Sequence, residues 1–493
     1  MDNAIWIHPS DNVAVALERI AKGGTIHGQG MDMAAAEAIP AGHKFALASI
    51  FSGSPVIKYG YPIGFATTNI SAGSHVHTHN LRTGLSGQLD YQYTPAHTEL
   101  NSLPGETFQG FWREDGSVGV RNDIWVLPTV GCVNDVARQL ATLAQPLVRG
   151  SIGRVIPFHH PYGCSQAGED QETTRVILAD LALHPNAGGV LLLGLGCENS
   201  GVTEIKPYLG DFDETRIRFL VCQQHEDELA QGLSVLKELV DQAGKAKRGP
   251  IPVEKLIIGL KCGGSDGLSG LTANPAIGGF SDLLIAKGGS AILTEVPEMF
   301  GAETLLMDRC PSEELFGKTV SLINHFKRYY EDHDTPVYEN PSPGNKEGGI
   351  STLEEKSLGC VQKSGKAPVG GVLGYGEKVN GRGLLLLNAP GNDLIAATAL
   401  AASGAQIVLF STGRGTPFAC PVPTVKISSN TALAHYKKNW IDFDAGRAAN
   451  GTAISTLSDE LYHFVLSVAS GMELKHEAAG IHDMAIWKGG VTL

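Results

Sequence analysis

The sequence predicts an α/β chain: a small β-rich module at the N-terminus, then a two-part α/β region with mainly parallel, Rossmann-like sheets. Three observations carry this. From Gly116 onward, apolar runs alternate with helical stretches, the pattern of layered α/β architecture. Before that point the chain shows short strands and turns with no such alternation. At 493 residues it is also too long for one core. The expected division is a β module over 1–97, a linker over 98–115, a central α/β domain over 116–248 and a C-terminal α/β domain over 249–493.

In order, Ile5 to His8 reads as a strand and Asn12 to Ala21 as a short helix capped by Ser10 or Asp11. The segments Ile39-Pro40-Ala41-Gly42-His43-Lys44 and Ile70-Ser71-Ala72-Gly73-Ser74-His75 echo each other, each a turn feeding a strand. Val56 to Gly64 is strand and turn again. Residues 81–110 are polar and aperiodic, a flexible connection. Strands follow at Ile124–Leu127, Val155–Phe158, Gly189–Leu193 and Ile217–Cys222, with helices from Asn134 to about Leu143, up to about Leu183, and from Glu226 to about Ala243. Gly244 to Pro252 is the boundary. The C-terminal strands are Leu256–Leu260, Ala291–Thr294, Leu384–Leu387 and Ile407–Phe410, and Tyr338 to Gly349 is an irregular loop.

The net charge of −13 excludes a broad nucleic-acid footprint, so an anionic ligand needs a local cationic pocket or a metal. No apolar run is long enough to span a membrane and no secretory signal opens the chain. Eight cysteines in this length are no disulfide framework, and a reducing cytoplasm is expected.

Cys132, Cys164, Cys197 and Cys262 each lie at the end of an apolar run, beside glycine. Parallel sheets bind ligands at such strand ends, and thiolates hold iron or zinc. Three could carry an iron–sulfur cluster with one open iron, one or two could touch a single iron, and simple packing of small thiols is the bland alternative. In a strand, His75, His77 and His79 share one face, either a metal and proton-transfer surface or a solvated polar side. His160 with Cys164 and Glu198 could complete a divalent-metal site, or His160 could be a packing histidine. Lys44, Lys346, Lys426 and Arg414, the last flanked by glycines, are candidates for a carboxylate. The glycine-rich loop from Lys261 to Pro275 offers Asp266, Ser269 and Asn274. Gly194-Leu195-Gly196 is an incomplete dinucleotide fingerprint, and no Walker A segment or nucleophile elbow is present.

Several longer stretches carry a resemblance: Gly42-His43-Lys44-Phe45-Ala46-Leu47, Val56-Ile57-Lys58-Tyr59-Gly60, Leu127 through Asn134, Tyr162-Gly163-Cys164-Ser165-Gln166, Gly194 through Asn199, Cys262 through Pro275, Glu295 through Glu303, Glu339 through Lys346, Ser411 through Pro417 and Trp440 through Gly446. Through these, essentially end to end, the chain resembles the altronate/galactarate dehydratase family. Only Phe418-Ala419-Cys420 is atypical. The resemblance implies an N-terminal SAF (β-clip-like) module and an Fe2+- or Mn2+-dependent hydro-lyase. That enzyme would dehydrate D-altronate to 2-dehydro-3-deoxy-D-gluconate in hexuronate breakdown. The histidines at 75, 77 and 79 favour the altronate branch.

The expected acids and bases are His43, Lys44, His75 and His160. Expected metal ligands are Cys132, His160, Cys164, Cys197, Glu198 and Cys262, for Fe2+ or Mn2+ or, alternatively, a labile iron–sulfur cluster. Expected substrate contacts are His77, Asp266, Ser269, Asn274, Lys346, Arg414 and Thr416. The first module is expected to close over the α/β loop ends, with 81–110 as the flexible connection. The expected partners are a small sugar acid and a second copy in a homodimer, with no nucleic acid and no membrane. Galactarate dehydration, sulfite elimination from sulfolactate, and a non-catalytic sugar-acid binding protein are the competing readings.

Overall fold

The computed structural model describes residues 2–96 and 99–490, so the expected module boundary at 97 and 98 lies outside the described residues. The N-terminal module is built of antiparallel strands. One sheet runs Ala4–Ile5, Val13–Ala16, Lys44–Ala46, His75–Val76, and a second pairs Pro55–Lys58, Tyr61–Ala66 and Leu81–Arg82. The two echoing segments are related in space. Ile20 bridges Ile39 and Ile50 bridges Ile70, each bridge leads through a left-handed glycine (Gly42, φ 78°; Gly73, φ 77°), and the strands that follow pair Lys44 with Val76.

The helix expected over Asn12 to Ala21 is instead the strand Val13–Ala16. All four of its residues are buried between two neighbouring strands, and that packing overrides a weak helical tendency. Asp11 caps no helix; its carboxylate accepts backbone N–H groups of His8, Tyr59 and Gly60.

The polar connection is not loose. Thr107–Trp112 is a strand pairing with Val118–Gly119 and with Gly249–Pro252, so both the expected linker and the expected boundary after the central domain form sheet. Upstream, Tyr91 Oη donates to Glu303 (2.6 Å), Tyr93 Oη to the Cys310 carbonyl (3.1 Å), and Gly84 N–H to Glu354 (2.7 Å). These bonds strap residues 83–94 to the C-terminal domain. The stretch 338–349 likewise holds a short helix, Pro343–Glu347, with a capping box between Ser342 and Asn345.

The central domain is a parallel sheet in the order Val155–Pro157, Asp123–Pro128, Ala187–Gly194, Ile217–Val221. The C-terminal domain is a parallel sheet of seven: Val369–Leu373, Gly383–Leu387, Ser290–Leu293, Ile257–Cys262, Ile407–Thr412, Thr424–Ser428 and Phe443–Asp444. Strands such as Ile407–Thr412 are buried along their whole length, as sheets covered on both faces require.

One apolar core joins the two sheets, with helices Gly168–Ala182 and Asp393–Ala402 packed against each other in it. Just past the ends of these helices, His184 Nε2 lies 3.2 Å from the Ala405 carbonyl and Asn186 Nδ2 donates to the Gln406 carbonyl (2.9 Å). The helices therefore run the same way, and the carboxyl edges of both sheets face the same side of the molecule.

Candidate active site

The N-terminal module meets the C-terminal domain with almost no gap. A Cβ on Gly267 would come within 1.9 Å of the Gly42 carbonyl, so the glycine-rich loop accepts the module's turn only because that position has no side chain. Lys44 and Lys58, on adjacent segments of the module, both reach Glu355 of helix Leu353–Cys360: Lys44 Nζ to Oε2 is 2.7 Å and Lys58 Nζ to Oε1 is 2.8 Å. Burial would raise the Glu355 carboxyl, but the two ammonium groups overcome it and hold it at about 2. One carboxylate cannot serve two lysines equally. Burial, with Lys58 nearby, brings Lys44 down to about 8, whereas the pull of Glu355 outweighs burial at Lys58 and raises it.

Lys44 Nζ also donates to the Gly349 carbonyl (3.0 Å) and to Ser351 Oγ (2.6 Å), and that hydroxyl lies 2.9 Å from His77 Nδ1. His77 belongs to a cluster with His43 and His75. His43 Nδ1 is 2.9 Å from His75 Nε2, and the ligating atoms of the three rings all lie within 4.8 Å of one another. Among the described residues no other group of histidine, cysteine and carboxylate donors is this tight. The strand expected through His79 ends at Val76, yet the turn keeps the rings together, with His79 5.4 Å from His75 between centroids. Burial lowers all three clustered imidazoles, His75 to about 4 and His77 to about 3, so they are neutral at pH 7, the state that binds metals.

Glu347 carries the cluster to the rim. Its carbonyl lies 3.1 Å from His43 Nε2 and its carboxylate accepts from Arg414 Nη2 (2.9 Å). Lys346 is its neighbour on the same short helix, and Thr416 stands two residues beyond Arg414, its hydroxyl accepting the Phe418 N–H. Glu347 thus links the histidine cluster to Arg414, with Lys346 next to it in the chain and Lys44 buried on the other side of the cluster.

In the glycine-rich loop the polar groups are consumed by each other. Asp266 accepts from Ser269, Ser429 and Asn430, while Asn274 donates to the Gly359 carbonyl (3.0 Å) and accepts from Ser411 (2.6 Å). The space left beside Asp266, Ser269, Asn274 and Glu355 is ≈ 10 Å³, room for about one water. Asp266, Ser269 and Asn274, the expected substrate contacts, hold the loop in this arrangement through bonds to one another and to their neighbours.

Cys262 lies apart from the other three expected thiol ligands. It ends a strand of the seven-stranded sheet, not of the sheet that carries Cys132, Cys164 and Cys197, and it is buried with Sγ 2.6 Å from Ser265 Oγ. A hydrogen bond from Cys360 holds its thiol low, at about 5, among Lys261, Lys363, Lys356, Glu295 and Glu298. His160 has neither ring nitrogen available: Nε2 is 2.7 Å from the Pro128 carbonyl and Nδ1 accepts the Tyr162 N–H (3.2 Å). It packs the turn and is withdrawn as acid, base or ligand. Glu198 accepts from Thr129 Oγ1 (2.7 Å) and from the N–H groups of Leu195 and Gly196, which makes it the clasp of its own loop.

Three family models match the chain. The "Altronate/galactarate dehydratase SAF domain" covers residues 2–84, the "D-galactarate dehydratase/Altronate hydrolase, second domain" covers 110–244, and the "D-galactarate/Altronate dehydratase, C-terminal" covers 253–492. Altronate dehydratase of Bacillus subtilis (strain 168) is 53% identical over 100% of both chains. The chain belongs to the altronate/galactarate dehydratase family. Within that family, altronate dehydratase of Escherichia coli (strain K12) is 50% identical over 99% of both chains, and galactarate dehydratase (L-threo-forming) of the same organism is 33% identical over 95% of this chain and 92% of that one. The N-terminal module of this dehydratase-family chain is thus a SAF domain.

The site also holds groups that sequence reasoning missed: Lys58, Glu347, Ser351 and Glu355. Lys58 was the one with a signal, a charged residue inside the apolar run Val56-Ile57-Lys58-Tyr59.

Proposed function

We propose that this chain is a hydro-lyase that dehydrates D-altronate to 2-dehydro-3-deoxy-D-gluconate with Fe2+ or Mn2+. The geometric observation that carries the reading is the continuous path from Lys44 through Ser351 to His77, beside a histidine cluster that Glu347 links to Arg414. The substrate assignment draws on the full-length identity to relatives named altronate dehydratase.

The reaction takes a proton from the carbon beside the carboxylate and hydroxide from the next carbon. Arg414, with Lys346 beside it, orients the carboxylate. Lys44, brought down to about 8, can hold a neutral amine near neutral pH and serve as base, with Ser351 and His77 carrying the proton to or from it. The buried ammonium of Lys58 favours the negative charge that builds on the enolate. His43, His75 and His77 suit a divalent ion: three neutral imidazoles of one cluster, with an intermediate-softness donor set. When bound there, the ion would supply Lewis-acid stabilisation of carboxylate and hydroxyl oxygens. A reducing cytoplasm is part of this reading, supported by the eight free cysteines, and no described helix is long and apolar enough to cross a membrane.

The test measures 2-keto acid formation from altronate, galactarate and sulfolactate under anaerobic conditions, after chelation and after return of Fe2+ or Mn2+. Metal-dependent turnover of altronate above the other two is the expected result. Turnover of galactarate or sulfolactate instead would move the substrate assignment, and sugar-acid binding without any turnover would replace the enzyme by a binding protein.

A further inference from the structure

All four strands of the central sheet run into a cysteine at their carboxyl ends. Cys164 follows Val155–Pro157, Cys132 follows Asp123–Pro128, Cys197 follows Ala187–Gly194 and Cys222 follows Ile217–Val221. Cys222 is buried, as free cysteines usually are, whereas Cys132, Cys164 and Cys197 are exposed. The other cysteines of the chain are all buried as well. Exposure is thus confined to three thiols on three adjacent strand ends.

Their loops are fastened to one another. Gly131 N–H donates to the Tyr162 carbonyl (2.9 Å), Asn134 Nδ2 to the His160 carbonyl (3.0 Å) and Ser200 N–H to the Gly163 carbonyl (3.0 Å). Asn199 Oδ1 accepts from both Cys164 Sγ (3.3 Å) and Ser165 N–H (3.1 Å), with Ser165 held at φ 54°. His160, with both nitrogens engaged, and Glu198, clasping its loop, stiffen the same rim.

We propose that Cys132, Cys164 and Cys197 are the three thiolate ligands of an iron–sulfur cluster whose remaining iron is open to an oxygen ligand. Spacing separates this from a single ion. Around one tetrahedral metal at about 2.3 Å, sulfurs sit about 3.8 Å apart. The three cysteines do not form a group with all sulfurs within 4.8 Å, so at least one pair is wider than a single ion bridges, while a polynuclear cluster spans more. The rim lies at the carboxyl edge of its sheet, on the same side as the edge bearing Arg414. The inference concerns binding and stands independently of the hydro-lyase reading.

The experiment uses the full chain, incubated anaerobically with ferric iron, sulfide and a thiol reductant that reduces part of the iron, and then desalted. The expected result is iron and acid-labile sulfide retained in near-equal amounts, with broad visible absorption that dithionite bleaches. Cys132→Ser, Cys164→Ser and Cys197→Ser should each lose most of the sulfide, and Cys310→Ser should retain it. In the loaded wild type, mass spectrometry after alkylation should show these three thiols protected, a readout that needs no variant. Iron retained without sulfide, sulfide unchanged in all three variants, or thiols alkylated as readily with the cluster as without would each overturn the proposal.

Discussion

Lys44 and His77 share one hydroxyl: Ser351 Oγ receives a hydrogen bond from Lys44 Nζ at 2.6 Å and lies 2.9 Å from His77 Nδ1. The lysine and the histidine come from the SAF module and the serine from the C-terminal domain, so the path exists only where the two meet.

If Lys44 is the base, Lys44→Met should lower dehydration by more than about 10²-fold, the scale of one general base. The base acts as the neutral amine, so wild-type kcat/KM should climb as pH rises through about 8. A pH–rate profile of Lys44→Met that keeps that limb would assign the titration elsewhere.

Ser351→Ala cuts the path without removing a charge. Turnover should fall about 10-fold or more with KM little changed, the pattern of an interaction used in the transition state. Steady-state kinetics on altronate read both constants.

Glu355→Gln leaves Lys44 and Lys58 buried against each other without a carboxylate. Breaking a buried ion pair this way costs about 3–5 kcal/mol, which urea denaturation followed by tryptophan fluorescence can measure. The same carboxylate sets an acid limit. Its folded value, about 2, lies below the ordinary 4.5, so its stabilisation is complete above about 4.5 and is lost as pH falls from there toward 2. Urea midpoints taken across that window should fall more steeply with acid in wild type than in Glu355→Gln.

Arg414 is exposed and among the described residues pairs with Glu347, so it is available to exchange that partner for a substrate carboxylate. Arg414→Ala should raise KM for altronate about 10-fold or more and leave the melting temperature unchanged, and Arg414→Lys should recover part of the loss, since a point charge replaces a fork. An unchanged KM would remove Arg414 from the carboxylate site.

The two parallel sheets were legible because their strands are buried on both faces and read as unbroken apolar runs, as in Leu256 to Leu260 and Ile407 to Phe410. His43, Lys44, His75 and His77 stood out because they are polar residues inserted among apolar ones. Glu355 did not: every residue of Leu353–Cys360 is buried, so its polar face turns toward protein and shows none of the periodicity that marks a surface helix. Cys262 was grouped with the other strand-end cysteines because the pattern of apolar run, glycine and cysteine reports a strand end and carries no information about which sheet the strand joins. Val13 to Ala16 was misread as helix for a related reason: pairing with the strand Lys44–Ala46, about 30 residues later, decides it.

Because the same carboxylate that seats the SAF module also sits against Lys44, seating and reactivity are one event. With the module released, Lys44 would be solvated and return from about 8 to the ordinary lysine range, so its neutral fraction near neutral pH would fall about 10²-fold. The contact that fixes the module in place is therefore also the one that supplies the neutral amine.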